Sequence, residues 1–415
     1  MADEVTSVES PGDNPGDNRD PKEPSRERPP AKAWQILFGL LISGYLLALP
    51  GGLLPLWGYH LHPDYGVAGN YFLAVGAGIA GGGALAQRWA KRMTLERLLA
   101  AGSGLAALAL GMIAFAAPPA ETWYQALALV VAGLAAGIVN TAVLEGVSAS
   151  YESNPASITL AGGIFFGAGS VLAALTMTQA LEMALGESGP TRLMLITALL
   201  PAAAALSFLR LRMARTEVTE VTVDQSVRDL SSALAIMFAL LLFFQFANEW
   251  LFAAWLPVFL IDRMGMSPSS AVSLLAVYWT ALTVGRIVAA RLLPLVRHGR
   301  MLGLSAFFAL FGCSLIAFGS SVGVVVGLLL TGGGFSAIYP LAAERIASRF
   351  SYYHPGYFNG IFTFALMGGI LSPFALGHVA MASGLSAVPV AAMIGSCAVF
   401  ALVLLIWLGH KVSGH

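Results

Sequence analysis

The sequence predicts an all-α polytopic membrane protein, with twelve transmembrane helices in two pseudo-symmetric six-helix bundles. Three observations carry that prediction. Hydrophobic residues make up 57% of the 415 positions and charged residues 11%, whereas a soluble domain carries about 25% charged residues. Apolar runs recur along the chain at the length of ~20 residues needed to cross a bilayer as a helix. The runs beginning near residues 33 and 233 each open a group of six, as expected of a duplicated bundle.

The elements follow in order. Residues 1–31 are rich in Pro, Asp and Arg and almost free of large apolar side chains, so they cannot bury enough surface to fold and read as a disordered tail. They also lack the short apolar core and small-residue cleavage site of a secretory signal. Spans are expected near 33–56, 67–90, 97–117, 122–147, 158–182, 191–211, 233–259, 270–294, 300–319, 322–346, 357–382 and 387–409. They must be helices, because backbone facing lipid has to satisfy its own hydrogen bonds. The many glycines, as in GAGIAGGGAL, let such helices approach closely. An N-terminal bundle over 32–212, a polar linker over 213–231, a C-terminal bundle over 232–411 and a tail over 412–415 complete the division.

Lys and Arg set the orientation. With the N-terminus inside, Arg88, Lys91, Arg92, Arg97, Arg210, Arg291, Arg297, Arg300 and Arg345 all fall on the cytoplasmic side, whereas the other side receives only Arg192 and Arg263. Both termini are therefore expected in the cytoplasm, in a cell (inner) membrane. The halves also align internally. AGLAAGIVNTAVLEGVSAS matches TGGGFSAIYPLAAERIASR, which sets Gly133 against Gly332, Asn140 against Tyr339 and Glu145 against Glu344.

Of 22 acidic residues, only Glu145, Glu249 and Glu344 lie inside apolar segments. Glu249 is the deepest, and a bare carboxylate at the bilayer centre costs roughly 2.5 kcal/mol or more. Gln245, Asn248, Glu249 and Phe252 share a helical face by their i, i+3, i+4 and i+7 spacing, which points that face at a cavity. Gln245 and Asn248 then read as solute contacts and Glu249 as a proton carrier; the alternative is a protonated Glu249 held within its bundle. Asn140 and Thr141 lie on a small-and-polar face with Gly133 and Gly137, as cavity contacts or as interhelical glue. Asn359 and Thr363 form a similar i, i+4 pair. Trp255 reads as a stacking cap or an interfacial anchor, and Trp279 as a deeper cavity residue. Glu145 and Glu344 lie at the depth of Arg88, Arg92, Arg291 and Arg297, where ion pairs would close an inner gate. Arg286 is axially nearer Glu344 than Glu249, and is expected to pair with Glu344 or a carbonyl; an anionic solute would bind there.

Other classes find no residues to carry them. Cys313 and Cys397 sit in apolar runs and form no C-x-x-C. The histidines are scattered, and no P-loop, nucleophile elbow or HExxH occurs. The sequence therefore predicts no enzyme, cofactor or metal site, and its net charge of zero argues against a nucleic-acid partner.

One resemblance is specific. GALAQRWAKRMTL, starting at Gly83 between the second and third spans, resembles the loop motif of the major facilitator superfamily, with Gln87 and Ala90 replacing its Asp and Gly. FANEWLFAAWLPVFL (Glu249, Trp255), VYWTALTVGRI (Trp279, Gly285, Arg286), GIFFGAGSVLAAL (Phe166, Gly167, Gly169) and TGGGFSAIYPL (Tyr339) resemble, in order, helices of the fucose-permease-like branch of sugar–proton symporters. The resemblance implies a secondary transporter of sugar or a sugar-like solute, working by alternating access with a small-molecule substrate, the lipid bilayer and a co-transported proton as partners. Departures limit it. Asn140 and Leu144 stand where the branch has an acid and an Asn, Leu160 replaces a sugar-contacting Asn, and the first helix has no acid. These replacements fit a less polar pocket and a more hydrophobic or amphipathic solute. Efflux of a hydrophobic compound, an uncoupled facilitator and a non-transporting receptor on the same fold are the alternatives.

Overall fold

A computed structural model of the chain describes residues 31–148, 155–183, 189–211, 232–349 and 360–412. The expected linker, most of the two tails, and Asn359 lie outside these residues. Within them, the chain forms twelve helices and no strand. Helix α1 runs as Ala31–Leu37 and resumes past Phe38 as Gly39–Leu56. It is followed by α2 (Tyr65–Ala90), α3 (Leu95–Ala114), α4 (Thr122–Gly146), α5 (Pro155–Glu182) and α6 (Gly189–Arg210). The second half holds α7 (Ala233–Met264), α8 (Pro268–Leu292), α9 (His298–Phe318), α10 (Ser321–Arg349), α11 (Gly360–Ser383) and α12 (Ala387–Val412). The expected boundaries fall within three residues of these, except at the end of α7, which runs longer.

Local chemistry sets several ends. Asp64 accepts a hydrogen bond from Val67 N and starts α2. Ser232 does the same for α7 through Ala235 N. Ser267 caps α8 just ahead of Pro268, which needs no partner at the first helical position. Gly265 closes α7 at φ +61°, a conformation that glycine adopts without a Cβ clash.

Among the described residues, eleven helices are long and apolar enough to span a membrane. The remaining one is α2, whose seven glycines lower its hydropathy. Those glycines serve packing instead: a Cβ on Gly78 would lie 2.9 Å from the Gly133 Cα of α4, and one on Gly137 would lie 2.9 Å from Gly83 N. The two backbones meet directly, and only small residues permit that.

The pairing of helices repeats. α1 packs on α5, α2 and α3 on α4, and α3 on α6; six helices later, α7 packs on α11, α8 and α9 on α10, and α9 on α12. The bundles meet through α5 with α8 and α2 with α11, again related by a shift of six, and through α1 with α7. One face of the molecule carries Arg88, Arg92, Arg291, Arg297 and Arg345 at helix ends; we call it the basic face. Close contacts between bundles cluster toward the opposite face. Gly51 abuts the Ala253 carbonyl, Gly69 faces Phe374 and Gly377, Asn70 Oδ1 lies 3.3 Å from His378 Nε2, and Thr178 Oγ1 lies 3.4 Å from Ser273 Oγ. A cavity remains between the bundles on the basic side of these contacts.

Candidate functional site

The cavity holds about 280 Å³ and is lined by α1, α2, α4, α5, α7, α8, α10 and α11. Helix α7 presents Phe246, Glu249, Trp250, Ala253 and Ala254 to it. That i, i+3, i+4, i+7, i+8 stripe is one helical face, and the only acid on it is Glu249.

Glu249 does not stand alone. Its Oε1 lies 3.3 Å from Arg286 Nη2 of α8, and both side chains are only 7% exposed. Arg286 Nη1 donates a 2.7 Å hydrogen bond to the Gly163 carbonyl of α5. One guanidinium thus joins an acid of its own bundle to the backbone of the other. Gly163 makes the approach possible, because a Cβ there would sit 2.8 Å from Arg286 Cδ and Nε. Of the two partners expected for Arg286, a carbonyl is found and Glu344 is not, its place being taken by Glu249. The long arginine stem carries its head group away from its own Cα, which offsets the axial distance to Glu249. Glu344 Oε2 instead lies 2.9 Å from His298 Nδ1 at the start of α9, a residue given no role in the sequence reading.

The expected polar face of α7 is split. Gln245 is fully buried and donates to the Phe335 carbonyl of α10 at 3.3 Å. Asn248 turns to α12, where Nδ2 donates to Ser396 Oγ at 3.2 Å beside Cys313, and the space for it is left by Gly395. Phe252 packs on Tyr278 and Phe335. The face open to the cavity is rotated from the expected one. Gln245 and Asn248 find partners inside their own bundle, which is the cheaper solution where water is scarce.

The other expected site residues divide likewise. Asn140, Thr141, Tyr339 and Thr363 line the cavity. Trp279 lies behind its wall, in contact with Phe166 and Trp250. Trp255 is wholly buried on the opposite-face side, where its Nε1 donates to the Pro373 carbonyl at 2.9 Å and its ring meets Tyr65 and Phe72 of α2. It plugs the seam between bundles rather than lining the cavity. At the basic face, Glu145 is buried, whereas Arg88 and Arg92 are exposed. Among the described residues no ion pair joins Glu145 to either. Sequence reasoning gave no role to Trp250, Phe246 or Phe362. All three sit on aromatic-rich helix faces, a pattern shared with lipid-facing stretches of the same chain.

The two bundles, their pairing under a shift of six, and a central cavity decide the architecture. The chain has the fold of the major facilitator superfamily. The model of that superfamily matches residues 7–175. An uncharacterised MFS-type transporter of Yersinia pestis is 31% identical over 147 residues, 35% of this chain and 38% of that protein. An uncharacterised transporter of Sinorhizobium fredii is 31% identical over 130 residues, 31% of this chain and 34% of its own. The chain thus matches little more than a third of the length of these curated relatives. Solved structures align far more completely at low identity. The D-xylose–proton symporter superposes with a TM-score of 0.71 at 15% identity over 91% of this chain and 96% of its own. The nucleoside transporter NupG gives 0.66 at 16% over 91% and 98%, and the Escherichia coli fucose:proton symporter FucP gives 0.59 at 16% over 90% and 98%. The expected resemblance to the fucose-permease branch of this superfamily stands, and the chain is an integral membrane protein of that fold.

Proposed function

We propose that the protein is a secondary transporter that moves a small organic solute across a membrane by rocking residues 32–212 against 232–411. The observation that carries this reading is the cavity itself. It lies between the bundles, is sealed toward the opposite face by Trp255, Gly51 and Gly69, and has the Glu249–Arg286 pair in its wall. In the alternate state, the basic face closes over the solute, with Arg88, Arg92, Glu145 and Glu344 as the charged groups at that depth. The termini lie in the cytoplasm of a cell with the protein in its inner membrane, as the arginine asymmetry implies. Resemblance alone gives a sugar or sugar-like solute, with a proton carried by Glu249 as the coupling ion; the aromatic lining of the cavity favours a less polar solute in the same place.

Two-sided labelling tests the rocking. In a Cys397→Ser background, Thr363→Cys lines the cavity and should react with a membrane-impermeant thiol reagent from either side of oriented vesicles. Adding Asn70→Cys with His378→Cys and oxidising that pair should leave labelling from the basic face alone. Labelling from one face before any cross-link would mean a fixed receptor instead. Coupling has its own test, once thermal-shift screening supplies a solute. Glu249→Gln should abolish accumulation driven by a pH gradient and preserve exchange. A variant that still concentrates solute would move coupling to another group or leave an uncoupled facilitator.

A further inference from the structure

The cavity wall is more informative about the solute than the family resemblance is. Six aromatic side chains contribute to it: Phe72, Phe166, Phe246, Trp250, Tyr339 and Phe362. Phe166 and Trp250 come from different bundles and meet edge to face at 6.2 Å. Most of the remaining wall is aliphatic or glycine. Among the described residues its one cation is already engaged, since Arg286 has Nη2 on Glu249 and Nη1 on the Gly163 carbonyl. An anionic solute would have to break both contacts in a desolvated setting, and a cationic one would have to compete with the guanidinium for Glu249. The wall is therefore closed to net charge. The Thr159 hydroxyl gives its proton to the Pro155 carbonyl at 2.7 Å and is left as an acceptor.

Asn140 differs from all of these. Its side chain lines the cavity, and its Oδ1 is buried with no hydrogen-bond partner. A buried amide left open is a standing demand for a polar group. A hydroxyl meets that demand whichever way the amide is turned, because it both donates and accepts. A monosaccharide asks for more. Each of its several hydroxyls would need a partner, and among the described residues the wall adds to Asn140 only the hydroxyls of Thr141, Thr159, Tyr339 and Thr363 and the already paired Glu249 and Arg286.

We propose that the site takes an uncharged solute with a flat aromatic body and a single hydroxyl, the ring against Phe166 and Trp250 and the hydroxyl on Asn140. This rests on the transport reading for its place in a cycle, but binding itself needs no movement. The test uses the full-length protein in nanodiscs and its thermal midpoint at matched free concentrations of probe. 2-Naphthol should stabilise the protein. 2-Methylnaphthalene, without a hydrogen-bonding group, should bind roughly tenfold more weakly. 2-Naphthoate, L-fucose and D-xylose should have no effect in that range. Asn140→Leu should erase the preference for 2-naphthol over 2-methylnaphthalene and keep binding of both. Stronger stabilisation by either sugar or by 2-naphthoate, a preference that survives Asn140→Leu, or no effect of either neutral naphthalene would overturn the proposal. Repeating the measurement on the cross-linked Asn70→Cys/His378→Cys protein separates it from the transport reading. Failed two-sided labelling with intact 2-naphthol binding removes transport alone, and the reverse pattern removes the solute class alone.

Discussion

The two bundles share a pairing scheme but not a chemistry. In the second bundle, α7 and α8 bring an acid and a cation to the cavity. Their counterparts in the first, α1 and α2, bring Leu47, Pro50 and Gly51, and Phe72, Val75 and Ile79. The first bundle answers the charges with the Gly163 carbonyl and adds one unpartnered amide, Asn140, to the same wall. The difference follows from what each feature demands. Close helix packing asks only for small residues at the crossing points, so duplication preserves it easily. A buried charge needs a specific partner, and one such pair suffices for a cavity that two bundles share.

The largest expected effect breaks that asymmetry outright. Arg286→Leu leaves Glu249 buried without its cation, a loss of roughly 3–5 kcal/mol for a buried pair. The thermal midpoint should fall sharply. Arg286→Leu combined with Glu249→Gln should recover most of the fall, because neither charge then remains. A double variant as unstable as the single one would show that Arg286 acts through packing and not through the acid.

A smaller effect concerns the hydrogen bond that, among the described residues, ties this pair to the first bundle. Gly163→Ala places a methyl where Arg286 Cδ and Nε lie. The guanidinium must shift from the Gly163 carbonyl, losing a charge-assisted hydrogen bond of about 1.5–3 kcal/mol. Because that bond spans the bundles, the variant should also change the rate at which Thr363→Cys is labelled from the two faces. The neighbouring control, Gly162→Ala, meets only flexible leucine ends and should leave labelling unchanged. Equal behaviour of the two variants would deny the bond any part in holding the bundles together.

Much of this was legible in the sequence. Apolar length gave the helices, arginine placement the basic face, and the 200-residue offset between residues 33 and 233 the duplication. Glu249 stood out because an acid in an apolar run is rare. For Arg286 the sequence reading offers Glu344 or a carbonyl; the carbonyl is found, but the acid is Glu249, because axial distance along ideal helices ignores how far an arginine head travels from its Cα. The rotation of α7 was hidden for a different reason. A polar stripe shows which residues need partners, and cannot show whether those partners are solute or the neighbouring helix. Ser396 and the Phe335 carbonyl lie 148 and 90 residues away from theirs, beyond any local pattern. His298 was passed over because a histidine at a helix start has no periodicity to mark it.

The smallest effect sharpens that last distinction. If Asn248 faced the solute, Asn248→Ala would weaken binding and leave folding largely intact. The structure puts its amide on Ser396, next to Cys313 and remote from the cavity wall. Hydrogen bonds of this kind between membrane helices average only about 0.6 kcal/mol, and the Ser396 hydroxyl retains Cys313 as a neighbour. Asn248→Ala should therefore lower the thermal midpoint by a degree or two on the order of such a bond and leave 2-naphthol affinity unchanged. Ser396→Ala should cost about the same, and the two together little more than either alone, since they remove one shared contact. Asn140→Leu supplies the opposite pattern, a change in ligand preference with little change in stability. Loss of ligand affinity in Asn248→Ala with an unmoved midpoint would return Asn248 to the cavity and make the polar stripe of α7 a single surface after all.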